Sequence, residues 1–510
     1  MTVRFLIAIL LVGSVLNLSN AADANAWRSR SIYQVLTDRI ARTNGNTSPC
    51  GDLGKYCGGT FKGLQNKLDY IRSMGFDAIW ISPIPKNQGQ DYHGYGAVDW
   101  YQINSNFGTP QDLRNLVSAA HSKGMFVMLD VVANHVGSVD LDFSKVRPFN
   151  DPKHYHTKCQ INNWNDPHEV EYCRLANLPD LDQDNPYVRK TLLNWVKGVV
   201  SNYSFDGIRV DTVPEVKPQF WAEWAKAAGV YQVGEVFNRD YGYVGKYQGY
   251  LDATLNYPLY YTLRDIFGSR QSMYKFRNHY AAMDKYFRNQ DILGNFVDNH
   301  DNPRYLNQYN DGRTYKAALA FVLGSKGIPI IYYGSEQYYR GGNDPGCREP
   351  LWSSGYKTTD ISTMLARINA VRKATKYYLQ TQVERWADDT FYAFSRGLVV
   401  FAFTNRPEQQ QHRSVTYHPY KEGQTVCNIL YPGDCVTIKG GVLPVYLNNG
   451  EVKVFVPQAA NKRPQTSNKK PQATHKKNPR MTDDEVDDLE AFDLNDFENF
   501  DIDEFLSLNI

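Results

Sequence analysis

The chain of 510 residues has almost no excess charge: 56 Lys and Arg against 54 Asp and Glu leave +2. Nothing global therefore draws it to nucleic acid. It also lacks long hydrophobic runs. Behind Arg4 an apolar stretch covers residues 5–16, and no later segment approaches the ~20 apolar residues that cross a bilayer, so no membrane span is expected. Cysteine is sparse and odd in number, seven in all. They cannot all pair internally. The last thirty residues, 481–510, contain 12 acids and no Lys or Arg, which excludes a basic tail there.

The apolar run 5–16 is followed by the small residues Ser19, Asn20 and Ala21. These are the flanks of a secretory signal peptide, so residues 1–21 are expected to be removed and the mature protein to be secreted, or lumenal on its way out. Disulfides are then permitted. Cys50 and Cys57, Cys159 and Cys173, and Cys427 and Cys435 lie close in sequence. Three local bridges are the simplest pairing, though spacing alone does not fix connectivity; each would stabilise by roughly 2–3 kcal/mol. Cys347 is left over as a free thiol. Asn46-Thr47-Ser48 and Asn202-Tyr203-Ser204 are glycosylation triplets.

A hydrophobic content of 42% is ordinary for a globular chain, and the length allows two or three domains. Short β-like runs alternate with helical patterns between residues 31 and 335. The strand candidates are 31–36, 77–82, 126–132, 206–211, 231–237, 253–257, 294–300 and 328–334. Helical stretches lie between most of them, such as 109–124, opened by a Thr109 cap and Pro110 and stopped at Gly124, and 185–203. Eight alternations with strands apolar on both faces argue for an α/β fold, a (β/α)8 TIM barrel. The connection after the third strand is too long for a structureless loop and is read as a small inserted domain after strand 3. Beyond about residue 385 period-two runs with turns indicate a C-terminal antiparallel β-sandwich domain. The expected division is signal peptide 1–21, barrel 22–135 and 186–385, insertion 136–185, β domain 386–458, and a basic-then-acidic tail 459–510. The tail composition is that of a disordered segment whose partner the sequence does not name.

In a barrel of this kind the catalytic side chains stand at the C-terminal strand ends. Strand three ends in Asp130, Asn134 and His135; strand four in Arg209 and Asp211; strand five in Glu235; strand seven in Asp298, Asn299, His300 and Asp301. One such end could be a structural salt bridge. Four on one rim are hard to explain by packing. Several carboxylates, an arginine, two histidines and abundant aromatics suit glycosidic bond cleavage, which needs one carboxylic acid to protonate the leaving oxygen and one carboxylate at the oxocarbenium-like centre. Most of the 36 tyrosines are expected to serve packing, with stacking on a sugar ring the functional exception.

The segments "DVVANH" (130–135), "GIRVDT" (207–212), "GEVF" (234–237) and "FVDNHD" (296–301), in this order, resemble the four signature regions of the α-amylases of glycoside hydrolase family 13, and among them the fungal-type secreted enzymes. The likeness runs from about residue 27 to 458 and includes "DYHGYGAVDWYQIN", "LPDLDQDNP" and "GGNDPGCRE". It implies Asp211 as nucleophile, Glu235 as general acid/base and Asp301 as transition-state stabiliser. It implies further that Arg209 aligns Asp211, that His135 and His300 bind the sugar at the cleavage point, that Tyr95 stacks beneath it with His93 nearby, and that Asp344 and Arg348 serve the adjoining sugar. A retaining reaction follows from the resemblance, with nucleophile and acid about 5–5.5 Å apart. So does a Ca²⁺ ion between barrel and insertion, held by Asn134, Glu171, Asp180 and the backbone carbonyl of Glu215.

One departure stands out. Where fungal-type enzymes carry a Lys-His pair after the nucleophile segment, this chain has Pro214-Glu215. Proline has no donor and glutamate reverses the charge, so the leaving-group side must be rebuilt. The expectation is a calcium-dependent endo-acting α-amylase on starch, glycogen and maltooligosaccharides, working as a monomer. The alternatives are a maltogenic, cyclodextrin-processing or transglycosylating relative, and, against the presence of all three carboxylates, an inactive sugar-binding scaffold.

Overall fold

A computed structural model describes residues 22–458; the expected leader and tail lie outside them. Eight short parallel strands form the centre: β1 Ile32–Gln34, β2 Ala78–Ile81, β3 Phe126–Val131, β4 Gly207–Val210, β5 Tyr231–Gly234, β6 Ala253–Thr254, β7 Gly294–Asn295 and β8 Ile328–Tyr332. Their sheet order is β6-β5-β4-β3-β2-β1-β8-β7. A parallel bridge between Leu255 and Gly294 joins the outer two, so the sheet closes on itself. The strands are buried on both faces apart from the half-buried Phe126, as a barrel wrapped in helices requires. Gly207 opens β4 because a Cβ there would stand 2.8 Å from the ring of the buried Trp27.

The helices follow their sequence signals. Pro110–Ser122 starts at a capping box in which Thr109 and Asp112 exchange side-chain and backbone hydrogen bonds. Pro186–Tyr203 is capped by Asn185. All eight strands are shorter than the sequence suggests, two of them cut down to two residues. The run 253–257 pairs only over Ala253–Thr254 because Asn256 caps the following helix, accepting from Leu259 N at 3.1 Å. The run 294–300 pairs only over Gly294–Asn295. Beyond it Arg264 donates to the Val297 carbonyl and to Asp298, and Asp298 accepts from Tyr305 N, so side chains replace the ladder partner.

The long connection after β3 holds short helical turns and the Cys159–Cys173 bridge. It returns to the barrel by pairing with the chain just past β3: Val136 N donates to Pro179 O, Leu181 N to Asn134 O, and Gln183 Nε2 to Ala133 O, at 2.8–3.1 Å. The other two expected bridges, Cys50–Cys57 and Cys427–Cys435, are formed. Cys347 is free and buried, and Asn46 and Asn202 are exposed.

The C-terminal part contains a six-stranded and a two-stranded antiparallel sheet. In the larger sheet Phe394, Phe401 and Phe403 face the barrel, Phe394 and Phe403 meeting Phe321 of the helix Gly312–Gly324, while Phe391, Ala393, Val400 and Ala402 face Leu443, Val445 and Leu447 of the smaller sheet. Period two thus survives although both faces are covered. Among the described residues no helix is long and apolar enough to cross a membrane.

Candidate active site

Strand β4 ends at Val210, and its last inward residues carry the site. Arg209 is wholly buried in the barrel mouth. One guanidinium nitrogen lies 2.7 Å from Asp211 Oδ1 and 2.9 Å from Asp130 Oδ1 at the end of β3, and the other lies 2.9 Å from Glu235 Oε2 just past β5. A planar fork is suited to holding carboxylates from three strands in fixed relation. Thr212, directly after Asp211, sits at φ 47°, ψ 51°, the left-handed region that a β-branched residue adopts only under constraint. This turns the chain sharply and brings Thr212 N to 3.4 Å from Glu235 Oε2.

The electrostatics separate the acids. Burial raises Asp211, but Arg209 and a hydrogen bond from His135 outweigh it and hold it at about 2. His135 Nε2 is 3.5 Å from Asp211 Oδ2. Glu235 is pushed well above the ordinary carboxylate range, first by burial and then by Asp301, Asp211 and Glu215, against the opposing pull of Arg209. Asp130 is raised to about 7 by burial and Asp211 despite Arg209. One cation among this many acids cannot keep all of them ionised. The arrangement drives Asp211 down and Glu235 up, which is the sense of division that glycosidic cleavage uses.

The other expected residues gather around this pair. Gln34 of β1 bonds His300 Nδ1 at 2.7 Å, His300 Nε2 bonds the Tyr95 hydroxyl at 2.7 Å, and that hydroxyl donates to Asp130 Oδ2 at 2.8 Å. Burial and the nearby arginines keep His300 neutral. Its ring is parallel to Tyr95, and Tyr95 stacks in turn on His93. Burial lowers His93 to about 3, with Arg348 adding to the effect. Asp301 lies 3.5 Å from both His300 Nε2 and Arg348, and Arg348 also holds Asp344 at 2.8 Å and donates to the His300 carbonyl at 2.8 Å. The Cys347 thiol donates to the same carbonyl at 3.3 Å, and burial raises it to about 12, so it stays protonated.

At the proposed metal position, one end of the Asn134 amide lies 3.0 Å from the Glu215 carbonyl oxygen and 2.7 Å from Asp180 Oδ1. With its NH2 turned there, Asn134 donates to both. With its oxygen turned there, three oxygens converge from the end of β3, the returning excursion and the turn after β4, which is a donor set for a hard cation. The residues fit Ca²⁺ on that chemistry. Asp180 Oδ2 is held by His156 Nδ1 at 2.5 Å. Glu171 is half-buried on the helix Pro167–Tyr172, which packs against the turn carrying Glu215.

Several neighbours were not assigned a role from sequence. Asp130 was visible as a strand-end acid, yet its bonds to Arg209, Tyr95 and Trp80 Nε1 depend on three other elements. Tyr257 donates to Glu235 Oε1 at 3.3 Å and accepts from Asn299 Nδ2 at 3.0 Å. A cleft of about 390 Å³ beside Glu235 is lined by Thr212, Pro214 and Glu215, by Phe237 and Tyr243, and by Trp164 from the excursion. No local pattern in the sequence joins these positions.

A closed parallel barrel whose mouth gathers Asp130, Asp211 and Glu235 on one arginine is the kind of site that glycoside hydrolysis uses. Residues 34–386 match the family described as alpha amylase, catalytic domain. The chain is 40% identical over 460 residues to an alpha-amylase of Saccharomycopsis fibuligera, covering 85% of this chain and 92% of the relative. An alpha-amylase from Malbranchea cinnamomea has a solved structure with TM-score 0.82 and 39% identity over 86% of this chain and 98% of that one. A gamma-CGTase from alkalophilic Bacillus clarkii superposes at TM-score 0.77 and 26% identity, covering 87% of this chain and 72% of that one. The chain belongs to the alpha-amylase family.

Proposed function

We propose that the protein is a secreted, calcium-dependent, retaining α-amylase that cleaves internal α-1,4-glucosidic bonds of starch, glycogen and maltooligosaccharides. The single observation that carries this reading is the Arg209 fork, which gathers Asp211 and Glu235 from two strand ends onto one guanidinium, 2.7 Å and 2.9 Å away. Glu235 gives its proton to the leaving oxygen while Asp211 Oδ attacks the anomeric carbon and the glycosidic bond breaks. Water then attacks the glucosyl–Asp211 ester, its proton passing to Glu235, and Asp211 is released. Asp301 accepts from sugar hydroxyls, and His135, His300 and Tyr95 shape the pocket for the ring. Asp344 and Arg348 would hold the next sugar outward.

Asn134, Asp180, the Glu215 carbonyl and Glu171 would hold the calcium ion. Bound there it would tie the excursion to the barrel ends that carry Asp211 and Glu235. The test of the whole reading is a time course of products from starch, maltooligosaccharides and cyclodextrin. A spread of intermediate oligosaccharides from starch is expected early; release of only maltose, or preferential opening of cyclodextrin, would favour the other readings. Transfer to a sugar acceptor is the second reading, supported by the aromatic, cation-free cleft beside Glu235.

A further inference from the structure

The segment that carries Asp344 and Arg348, residues 340–350, contains no helix or strand. Its backbone groups therefore need partners from elsewhere in the chain. One partner is Arg39, on the short helix Thr37–Ile40 just past β1. Arg39 is wholly buried, so no sugar touches it. Its Nη1 donates to the Arg348 carbonyl at 2.8 Å, and its Nη2 donates to the carbonyls of Leu53 and Lys55 at 2.8 Å and 2.9 Å. Those two carbonyls lie in the loop closed by Cys50–Cys57. Nε pairs with Asp38 at 2.9 Å, and Asp38 accepts in turn from Cys57 N at 2.7 Å and Gly58 N at 3.0 Å. The same guanidinium lies 3.8 Å from the centre of the Tyr92 ring. Tyr92 is also buried, and its hydroxyl accepts from Arg348 Nη1 at 3.2 Å. Arg39 thus holds Arg348 twice, at its backbone directly and at its guanidinium by way of Tyr92. An ion pair with Asp38 alone would need none of this reach; the planar fork is what spans three carbonyls and a ring.

We infer that Arg39 is a positioning residue for the second sugar on the side that becomes bonded to Asp211. It touches no substrate and acts by fixing Arg348, which in turn holds Asp344 at 2.8 Å. The inference rests on the reading above that Asp344 and Arg348 hold that sugar. It follows that binding one sugar away from the broken bond depends on the loop 50–57, whose carbonyls complete the cage around Arg39.

The test compares α-maltosyl fluoride with α-glucosyl fluoride on the full chain, fluoride release being read by an electrode. Both substrates have the same leaving group, and only the maltosyl compound places a sugar against Asp344 and Arg348. The ratio of their kcat/KM values does not depend on how much of a variant is folded, so a merely structural defect leaves it unchanged. Arg39→Lys keeps a charge beside Asp38 but cannot span the three carbonyls. It should lower the maltosyl-to-glucosyl ratio by about tenfold, the size of one charge-assisted contact. Tyr92→Phe keeps the ring and removes only the hydroxyl that Arg348 uses, and should lower the ratio by about fivefold. An unchanged ratio in Arg39→Lys overturns the inference. Should that variant fail to fold, an unchanged ratio in Tyr92→Phe overturns it. Both results leave the catalytic reading standing, whereas an unmodified chain that cleaves neither fluoride overturns that reading and the inference with it.

Discussion

Arg209 sets the chemistry at the scale of single residues. It is buried beyond the reach of screening, and its two terminal nitrogens reach carboxylates from three strand ends. Removing either reacting group removes a transition-state interaction that nothing nearby replaces. Asp211→Asn and Glu235→Gln should each lower kcat on starch by about 10³-fold or more with folding intact by circular dichroism. Arg209→Lys keeps the charge but loses the fork, and a loss of at least about a hundredfold is expected. The pH profile follows from the two carboxylates. Asp211 must be ionised, and it is held at about 2, so activity should persist well into acid until the fold itself fails. Glu235 must be protonated, and its pKa is raised, so activity should fall as pH rises through that elevated value. In a pH series of kcat/KM the alkaline limb should lie well above pH 4.5, and a limb in the ordinary glutamate range would contradict the assignment.

The excursion after β3 and the turn after β4 are the elements whose mutual position matters. They meet where Asn134, Asp180 and the Glu215 carbonyl converge, and the excursion is stapled by Cys159–Cys173. An ion that binds only the folded state raises Tm, so EGTA should lower the Tm of the holoprotein and added Ca²⁺ should restore it. Asp180→Ala should remove most of that difference; an unchanged melting curve with EGTA would dismiss the calcium claim. Replacing Cys159 and Cys173 together by Ser should cost roughly 2–3 kcal/mol and lower Tm by several degrees, measured by calorimetry.

This is also the scale at which sequence reading reached its limit. The rim acids were legible because parallel strands end abruptly, so that a polar residue after an apolar run marks the mouth. Asp211 after Ile208 and Val210, and Glu235 after Val233, show it. The shortness of β7 was not legible, because Arg264 and Tyr305 intervene from other segments; that of β6 comes from Asn256 serving as a helix cap. Nor was the grouping of Trp164 with Phe237 and Glu215, which only the folding back of the excursion creates.

For the whole molecule the barrel, the excursion and the two antiparallel sheets form the arrangement shared with the amylase structures it matches. Within that frame Pro214 and Glu215 line the cleft beside Glu235, where the resemblance led to the expectation of a Lys-His pair. The chain should therefore cleave as the family does and differ in what the leaving-group side accepts. The most direct test of the central claim is the anomeric configuration of the first product. Proton NMR of maltooligosaccharide hydrolysis, recorded before mutarotation, should show the α-anomer appearing first, as two displacements at Asp211 require. Initial appearance of the β-anomer would mean a single displacement by water, and the assignment of Asp211 as nucleophile would be wrong.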